Sequence, residues 1–237
     1  MLRFFGRRSA FNEEQNSAFF VEDERLVLLD CAMFAFHAVR KTGLEGFGDK
    51  INEIVIVVTH THGDHISGIP MMIHYAKYVL CIPVTVIVPT EEMRTDMRFA
   101  CERLDGCDPD AYTMLTADEA ISVYKWLKAA ILTEHTPQLA GRCFGYNLSV
   151  DGRNVVYTGD TNTLEPFLPY LEKGSVLYTE TSYNDSGVHL HVKKLMEYAE
   201  LFKEREIEVY LMHMDDERAV LEQVKGRGFA PAPLFSE

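Results

Sequence analysis

The chain has 237 residues, of which 47% are apolar and 25% charged, and its formal net charge at pH 7 is -13. This composition is typical of a globular protein with a sizeable core and argues against long disordered segments. The acidic balance disfavours a long nucleic acid as partner, because binding by counterion release would need a local basic patch. No segment has the length of a membrane span or signal-peptide core, so we expect a cytoplasmic protein with no membrane partner.

No repeat and no Pro/Gly-rich linker divides the chain, which predicts a single domain over residues 1–237. The five cysteines show neither the density of a disulfide framework nor a C-x-x-C pair. We therefore expect reduced and mostly buried thiols. A homodimer is compatible with the sequence, which does not fix the oligomeric state.

The predicted elements follow one another as strands and covering helices. Hairpins are predicted at 18–21 with 26–30 and at 146–150 with 155–158. Continuous apolar runs, typical of buried strands, lie at 54–59, 84–88, 155–158, 176–179 and 209–212. Amphipathic patterns predict helices at 33–41, 71–80, 91–104, 163–172, 192–203 and 217–224. The chain thus has the pattern of an α/β protein in which helices cover sheet.

A dense group of polar side chains follows the apolar run that ends at Thr59. The motif is H-x-H-x-D-H and consists of His60, His62, Asp64 and His65. So many polar groups beside a buried strand end need compensation, which a metal ion supplies. An extended segment places His60 and His62 on one side, and the turn at Gly63 directs the other two elsewhere, which suggests two ions. Imidazole and carboxylate ligands favour zinc, with manganese or iron as alternatives.

Three further residues occupy similar positions at predicted strand ends. Asp160 follows the strand at 155–158, His213 follows 209–212, and His135 follows an apolar stretch at 130–132. Ligands at successive strand ends can converge on one edge of a sheet.

The ordered set of motifs resembles the metallo-β-lactamase superfamily, especially its ribonuclease Z-like and phosphodiesterase-like branches. This resemblance spans most of the chain and implies a four-layer αββα metallo-β-lactamase sandwich with two divalent metal ions. It implies that the first ion is bound by His60, His62 and His135, the second by Asp64, His65 and His213, and that Asp160 bridges them.

Two ions in such a site are expected to share a hydroxide that attacks the substrate. Asp64 is a predicted catalytic residue that both binds metal and orients this nucleophile. The segment from Ser186 to His191 resembles a histidine motif of phosphodiesterase-like relatives, which makes His189 a predicted general acid and leaves His191 a peripheral role. We therefore predict a phosphodiesterase.

Substrate size is constrained by a short connection. Ribonuclease Z proteins carry a long arm for tRNA between the third metal histidine and the bridging aspartate, whereas here only a hairpin separates His135 from Asp160. The predicted substrate is a small phosphoester such as a cyclic nucleotide. The alternatives are a lactonase or thioesterase on the same dimetal site, a catalytically silent metal-binding regulatory module and, ranked lower, a flavodiiron-type oxidoreductase.

Several other residues carry no motif. Arg7 and Arg8 lie near the expected site, and we interpret them as solvated surface residues rather than anion ligands. His37 and His74 are predicted to be packing or surface residues, and Trp126 a core or wall residue.

Overall fold

The computed structural model describes residues 1–48 and 50–235, and two six-stranded sheets lie at its centre. In each sheet the strands are neighbours in chain order. The first sheet contains β1 (Arg3–Gly6), β2 (Ser17–Glu22), β3 (Arg25–Leu29), β4 (Glu53–Val57), β5 (Val84–Val88) and β6 (Thr113–Thr116). The second contains β7 (Leu127–Thr133), β8 (Cys143–Val150), β9 (Arg153–Tyr157), β10 (Val176–Glu180), β11 (Glu208–Met212) and β12 (Phe229–Pro231).

Helices cover the outer face of both sheets. They are α1 (Met33–Thr42), α2 (Gly63–Ile66), α3 (Ile69–Tyr75), α4 (Glu91–Arg98), α5 (Ala117–Val123), α6 (Val192–Glu197), α7 (Ala199–Glu204) and α8 (Glu217–Gln223). Two of them continue as π-helical turns, α3 through Ala76–Leu80 and α4 through Phe99–Leu104. No helix within the described residues is long and apolar enough to cross a membrane.

The alternation of side chains along β4 shows how the layers are held together. Val55 and Val57 pack between the two sheets, whereas Ile54 and Ile56 pack against the helices on the first sheet. A third apolar cluster joins the second sheet to the helices on its other side. The predicted αββα sandwich is therefore confirmed, because each sheet buries both of its faces.

Parallel pairing places several strand ends at one edge. Strands β3 to β6 are parallel in the first sheet, and β9 to β12 are parallel in the second. The carboxyl ends of β4, β9, β10 and β11 carry the polar residues of the candidate site.

The predicted strands and hairpins are confirmed within a few residues, but two helix predictions need correction. The segment predicted as a helix at 163–172 forms a 3₁₀ helix over Glu165–Tyr170, because Pro166 and Pro169 cannot donate the backbone hydrogen bonds of an α-helix. The helix predicted at 192–203 is divided into α6 and α7 at Tyr198. The cysteines are free thiols, and all but Cys81 are buried, as predicted.

Candidate metal centre

The segment from His60 to His65 passes from a strand end into a short helix. His60 is fully buried beyond the end of β4. His62 keeps an extended backbone (φ -65°, ψ 150°) and directly precedes α2, whose first turn contains Asp64 and His65. His62 therefore ends the extended segment, and Asp64 and His65 project from the helix that follows it.

The first donor group consists of His60, His62, His135 and Asp160. The Nδ1 atom of His62 lies 3.0 Å from Nε2 of His60 and 3.4 Å from Nε2 of His135. The Oδ2 atom of Asp160 lies 3.7 Å from Nε2 of His135 and 3.9 Å from Nε2 of His60. Nitrogens bound at about 2.0–2.1 Å to one tetrahedral zinc ion would be about 3.3 Å apart, so this spacing suits a shared ion.

The second donor group consists of Asp64, His65 and His213, with Asp160 beside it. Oδ2 of Asp64 lies 3.3 Å from Nε2 of His213 and 3.4 Å from Nε2 of His65. The carboxylate of Asp160 reaches this group too, with 3.4 Å from Oδ1 to His65 and 3.5 Å from Oδ2 to His213. Asp160 thus lies between the two groups, in the position of a bridging ligand.

A buried carboxylate that is not part of the motif orients two of the histidines. The Nδ1–H of His65 donates to Oδ2 of Asp30 over 2.7 Å, which leaves Nε2 of His65 directed into the centre. The same carboxylate accepts from Thr59, whose hydroxyl oxygen in turn lies 3.0 Å from Nδ1 of His60. Such partners fix the tautomer and the ring orientation of metal-binding histidines.

The charge states of the histidines differ between the two groups. Burial lowers the pKa of His60, His62 and His135, so these rings are neutral and can donate lone pairs. Burial also acts to lower the pKa of His65 and His213, but neighbouring carboxylates, above all Asp160, outweigh it and raise both pKa values. The two groups therefore differ in the amount of negative charge around their histidines, which is greater in the second.

The residues present fit a metal centre. Among residues 1–48 and 50–235, Nε2 of His65 and Oδ1 of Asp160 are buried without a hydrogen-bond partner. Unpaired polar atoms of this kind are costly in a protein interior unless an ion or water binds them. Both atoms point toward one another between the donor groups, so a divalent cation would satisfy them.

A histidine–glutamate pair lies beside the two groups. The Nδ1–H of His189 donates to Oε2 of Glu180 over 2.8 Å, and the same ring nitrogen lies 4.0 Å from Oδ2 of Asp160. Burial would lower the pKa of His189, but the charge and hydrogen bond of Glu180 raise it to about 9. Glu180 is fully buried and also accepts the backbone N–H of Thr161. The raised pKa favours the protonated form of His189 at neutral pH, and its side chain is 26% exposed.

The profile of one protein family matches almost the whole chain. It is the family described as "Anti-Pycsar protein Apyc1", and the match covers residues 1–230. The chain belongs to this family.

Bacteriophage proteins of the Apyc1 family are similar to this chain along most of its length. The Apyc1 protein of Bacillus phage 010DV004 is 26% identical over 91% of this chain and 89% of its own length. The Apyc1 protein of Bacillus phage BSP38 is 27% identical over the same shares.

Solved structures place this Apyc1-family chain in the metallo-β-lactamase fold. The metallo-β-lactamase fold protein YhfI from Bacillus subtilis superposes with a TM-score of 0.71 at 15% identity, over 97% of this chain and 94% of YhfI. A diphosphatase of the PhnP family gives 0.70 at 14% identity, over 98% and 94%. The short form of human tRNase Z gives 0.65 at 15% identity, over 99% and 96%. These likenesses show the fold, and the His/Asp cluster lies at one edge of its sheets.

All seven predicted ligands of this Apyc1-family chain lie together, and metal binding by them remains a prediction. His189 adjoins the centre, whereas His191 lies outside it with Nε2 near the carbonyl of Tyr183. The expectation that Arg7 is solvated is wrong, because its guanidinium binds the carboxylate of Glu217 at 2.8 Å and is only 11% exposed. Trp126 is a core residue in edge contact with Phe20.

Asp30 and Glu180 are the site residues that the sequence analysis missed. Both lie at the ends of mostly apolar, buried strands, since Asp30 follows β3 and Glu180 closes β10. A carboxylate at the end of a fully buried strand is itself a signal, because an unpaired charge is rarely tolerated there.

Proposed function

We propose that this protein is a metal-dependent phosphodiesterase that hydrolyses a small cyclic nucleotide. The observation that carries the proposal is the His189–Glu180 pair, an imidazole hydrogen-bonded to a buried carboxylate beside Asp160 at the edge of the candidate metal centre. The anti-Pycsar name of the relatives is consistent with this substrate class.

His189 is suited to be the general acid of a phosphodiester cleavage. Its Nδ1 hydrogen is engaged by Glu180, which leaves Nε2 to carry the proton that the departing alkoxide oxygen needs. A sugar alkoxide is a poor leaving group, so a proton donor contributes strongly to its departure. Glu180 acts through His189 and is therefore a positioning residue.

The two donor groups would hold two divalent ions, with zinc favoured by the nitrogen-rich ligand set and manganese or iron as alternatives. When bound, the ions would supply an activated water at neutral pH and polarise the phosphoryl group. Oδ2 of Asp64 lies 3.3 Å from Nε2 of His213 and 3.4 Å from Nε2 of His65. This oxygen of Asp64 would bind the second ion, and the proposed role of the other oxygen is to accept a hydrogen bond from the attacking water.

A cavity of about 650 Å³ adjoins His135 and has room for a nucleotide-sized ligand. Its wall includes Leu132, Pro137, Asn162, Ser186 and Val188, which combine apolar surface with a few polar groups. Such a lining suits a base and sugar better than a long polyanion.

The connection from His135 to Asp160 consists of a 3₁₀ turn and the hairpin of β8 and β9. This segment contains no arm that could hold a tRNA, and the net charge of -13 disfavours long nucleic acids as substrates. A small phosphoester is therefore the proposed partner.

The proposal is tested with His189→Gln on two substrates that differ in leaving group. With a cyclic nucleotide, kcat should fall by roughly 10²–10⁴-fold, the usual contribution of a positioned acid. With bis-p-nitrophenyl phosphate the fall should be much smaller, because p-nitrophenolate leaves without a proton. Glu180→Gln should show the same pattern to a lesser degree, and metal content should match wild type in both variants.

His191→Gln is the matched control, since this histidine is two residues away but outside the centre. An equal loss on both substrates, or a loss of bound metal in His189→Gln, would contradict the assigned role. Faster turnover of a lactone or thioester than of any phosphodiester would favour a carbonyl hydrolase. Full metal loading with no activity on either class would favour a regulatory module.

A further inference from the structure

A group of side chains that could hold a metal ion lies apart from the two donor groups. His74 on α3 places Nε2 at 3.1 Å from Oδ2 of Asp105 and 3.6 Å from Sγ of Cys107. The three ligand atoms all lie within 4.8 Å of one another. They come from two different parts of the chain, so the fold rather than local sequence brings them together.

The backbone that carries two of these residues is itself fixed. The N–H of Asp105 donates to the carbonyl of Ala100, and the N–H of Cys107 donates to the carbonyl of Cys101 over 2.8 Å. Between them Gly106 has φ +75°, a conformation that glycine adopts without strain. This turn at the end of the π-helical segment directs both Asp105 and Cys107 toward His74.

The chemistry of the group suits zinc. Imidazole nitrogen, carboxylate oxygen and thiolate sulfur are the three protein ligands that zinc uses, and a carboxylate with a thiolate would neutralise its double charge. The thiol of Cys107 is buried, whereas His74 and Asp105 are 29% and 40% exposed. The exposed side leaves the fourth tetrahedral position accessible to water.

We propose that His74, Asp105 and Cys107 form a zinc site with three protein ligands and one position open to water, which ties the turn after α4 to α3. None of the three belongs to the donor groups of the candidate metal centre, and the proposal does not depend on the proposed phosphodiesterase activity. The site would fasten together two helical segments of the layer that covers the first sheet.

The test uses the full-length protein, stripped of metal and then titrated with Co²⁺. The seven predicted ligands of the candidate metal centre are all histidines and aspartates, so they cannot give a thiolate-to-cobalt charge-transfer band. Wild type should develop this near-ultraviolet band, and Cys107→Ser should lose it. After reconstitution with zinc and removal of free metal, Cys107→Ser should contain one equivalent less per chain than wild type.

Cys101→Ser is the matched control, because Cys101 is also buried but is not among the three ligands. It should keep both the band and the full metal content. His74→Gln changes a partly exposed side chain and provides a second variant should Cys107→Ser fail to fold; it should weaken the band and lose the same equivalent. Absence of the band in wild type, or its persistence in Cys107→Ser, would overturn the proposal whether or not the protein hydrolyses phosphodiesters.

Discussion

The two donor groups of the candidate metal centre are supported in different ways. In the second group, the Nδ1–H of His65 donates to the buried side chain of Asp30 over 2.7 Å. In the first group, the Nδ1–H of His135 donates to the backbone carbonyl of Val188, also over 2.7 Å. The lengths are equal, but one acceptor is a charge that a substitution can remove and the other is a peptide group that every residue provides.

Two hydrogen bonds of the same length can therefore differ in how strongly a substitution of the acceptor residue affects them. A carboxylate partner raises the basicity of a metal-binding histidine, and its loss also leaves buried donors without an acceptor. A backbone partner orients the ring without adding a charge. The two groups should therefore respond differently when their supports are altered, while Asp160, which reaches both, should affect them together.

Asp160→Ala should have the largest effect, because it removes the carboxylate shared by both groups. Metal content should fall by more than one equivalent. Metal ions contribute several kcal/mol of transition-state stabilisation, so at about 1.4 kcal/mol per tenfold, hydrolysis should fall by roughly 10² or more. Elemental analysis and bis-p-nitrophenyl phosphate hydrolysis on the same samples measure both. Unaltered metal content and activity would rule out the bridging role.

His213→Ala should come next, since His213 belongs to the second group and approaches Asp64 and Asp160 through Nε2. We expect the loss of one equivalent of metal while the first group keeps its ion, together with most of the activity lost. Measuring the metal content of His60→Ala in parallel shows whether each substitution removes the ion of its own group only. Loss of both ions in His213→Ala alone would show that the groups do not load independently.

Asp30→Asn should have an intermediate effect that is larger on the second group, where Asp30 contacts His65 directly, than on the first, where it reaches His60 through Thr59. The asparagine side chain has one oxygen in place of two, so it cannot accept every hydrogen bond that Thr59 and His65 donate to Asp30. One buried donor therefore loses its partner. Loss of such a partner typically weakens metal affinity about 10–100-fold. Unfolding should also become easier by roughly 1–3 kcal/mol, the cost of a buried unsatisfied group. Competition with a chelator and denaturant titration measure the two effects.

The sequence suggests the predicted ligands but not the residues that orient them. The motif from His60 to His65 is local and follows an apolar strand, so its chemistry can be seen without the fold. Asp30 is distant in the chain from His65, which it orients. Glu180 lies at the end of a strand, whereas its partner His189 lies in the loop that follows. Both roles therefore depend on strand order and tertiary packing.

The overall sandwich is likewise predictable from the buried strands and covering helices, whereas its short edge elements are not. Strands β1, β6 and β12 have four, four and three residues, too few for a hydrophobic period to emerge. The π-helical ends of α3 and α4 follow an ordinary helical pattern in sequence. The 3₁₀ helix at Glu165–Tyr170, in contrast, could have been anticipated from its two prolines.

Val188→Ala should have the smallest effect, although Val188 contacts the predicted ligand His135 as closely as Asp30 contacts His65. The acceptor is the carbonyl oxygen, which alanine keeps, and the side chain lies in the wall of the cavity beside His135. Metal content should equal that of wild type and kcat should change little. Any effect should be a higher KM, because the shorter side chain loses a contact in the cavity wall. Measuring Val188→Ala beside Asp30→Asn completes the comparison: a loss of metal in Val188→Ala equal to that in Asp30→Asn would mean that packing around the rings, rather than the nature of the acceptor, determines how firmly each group holds its ion.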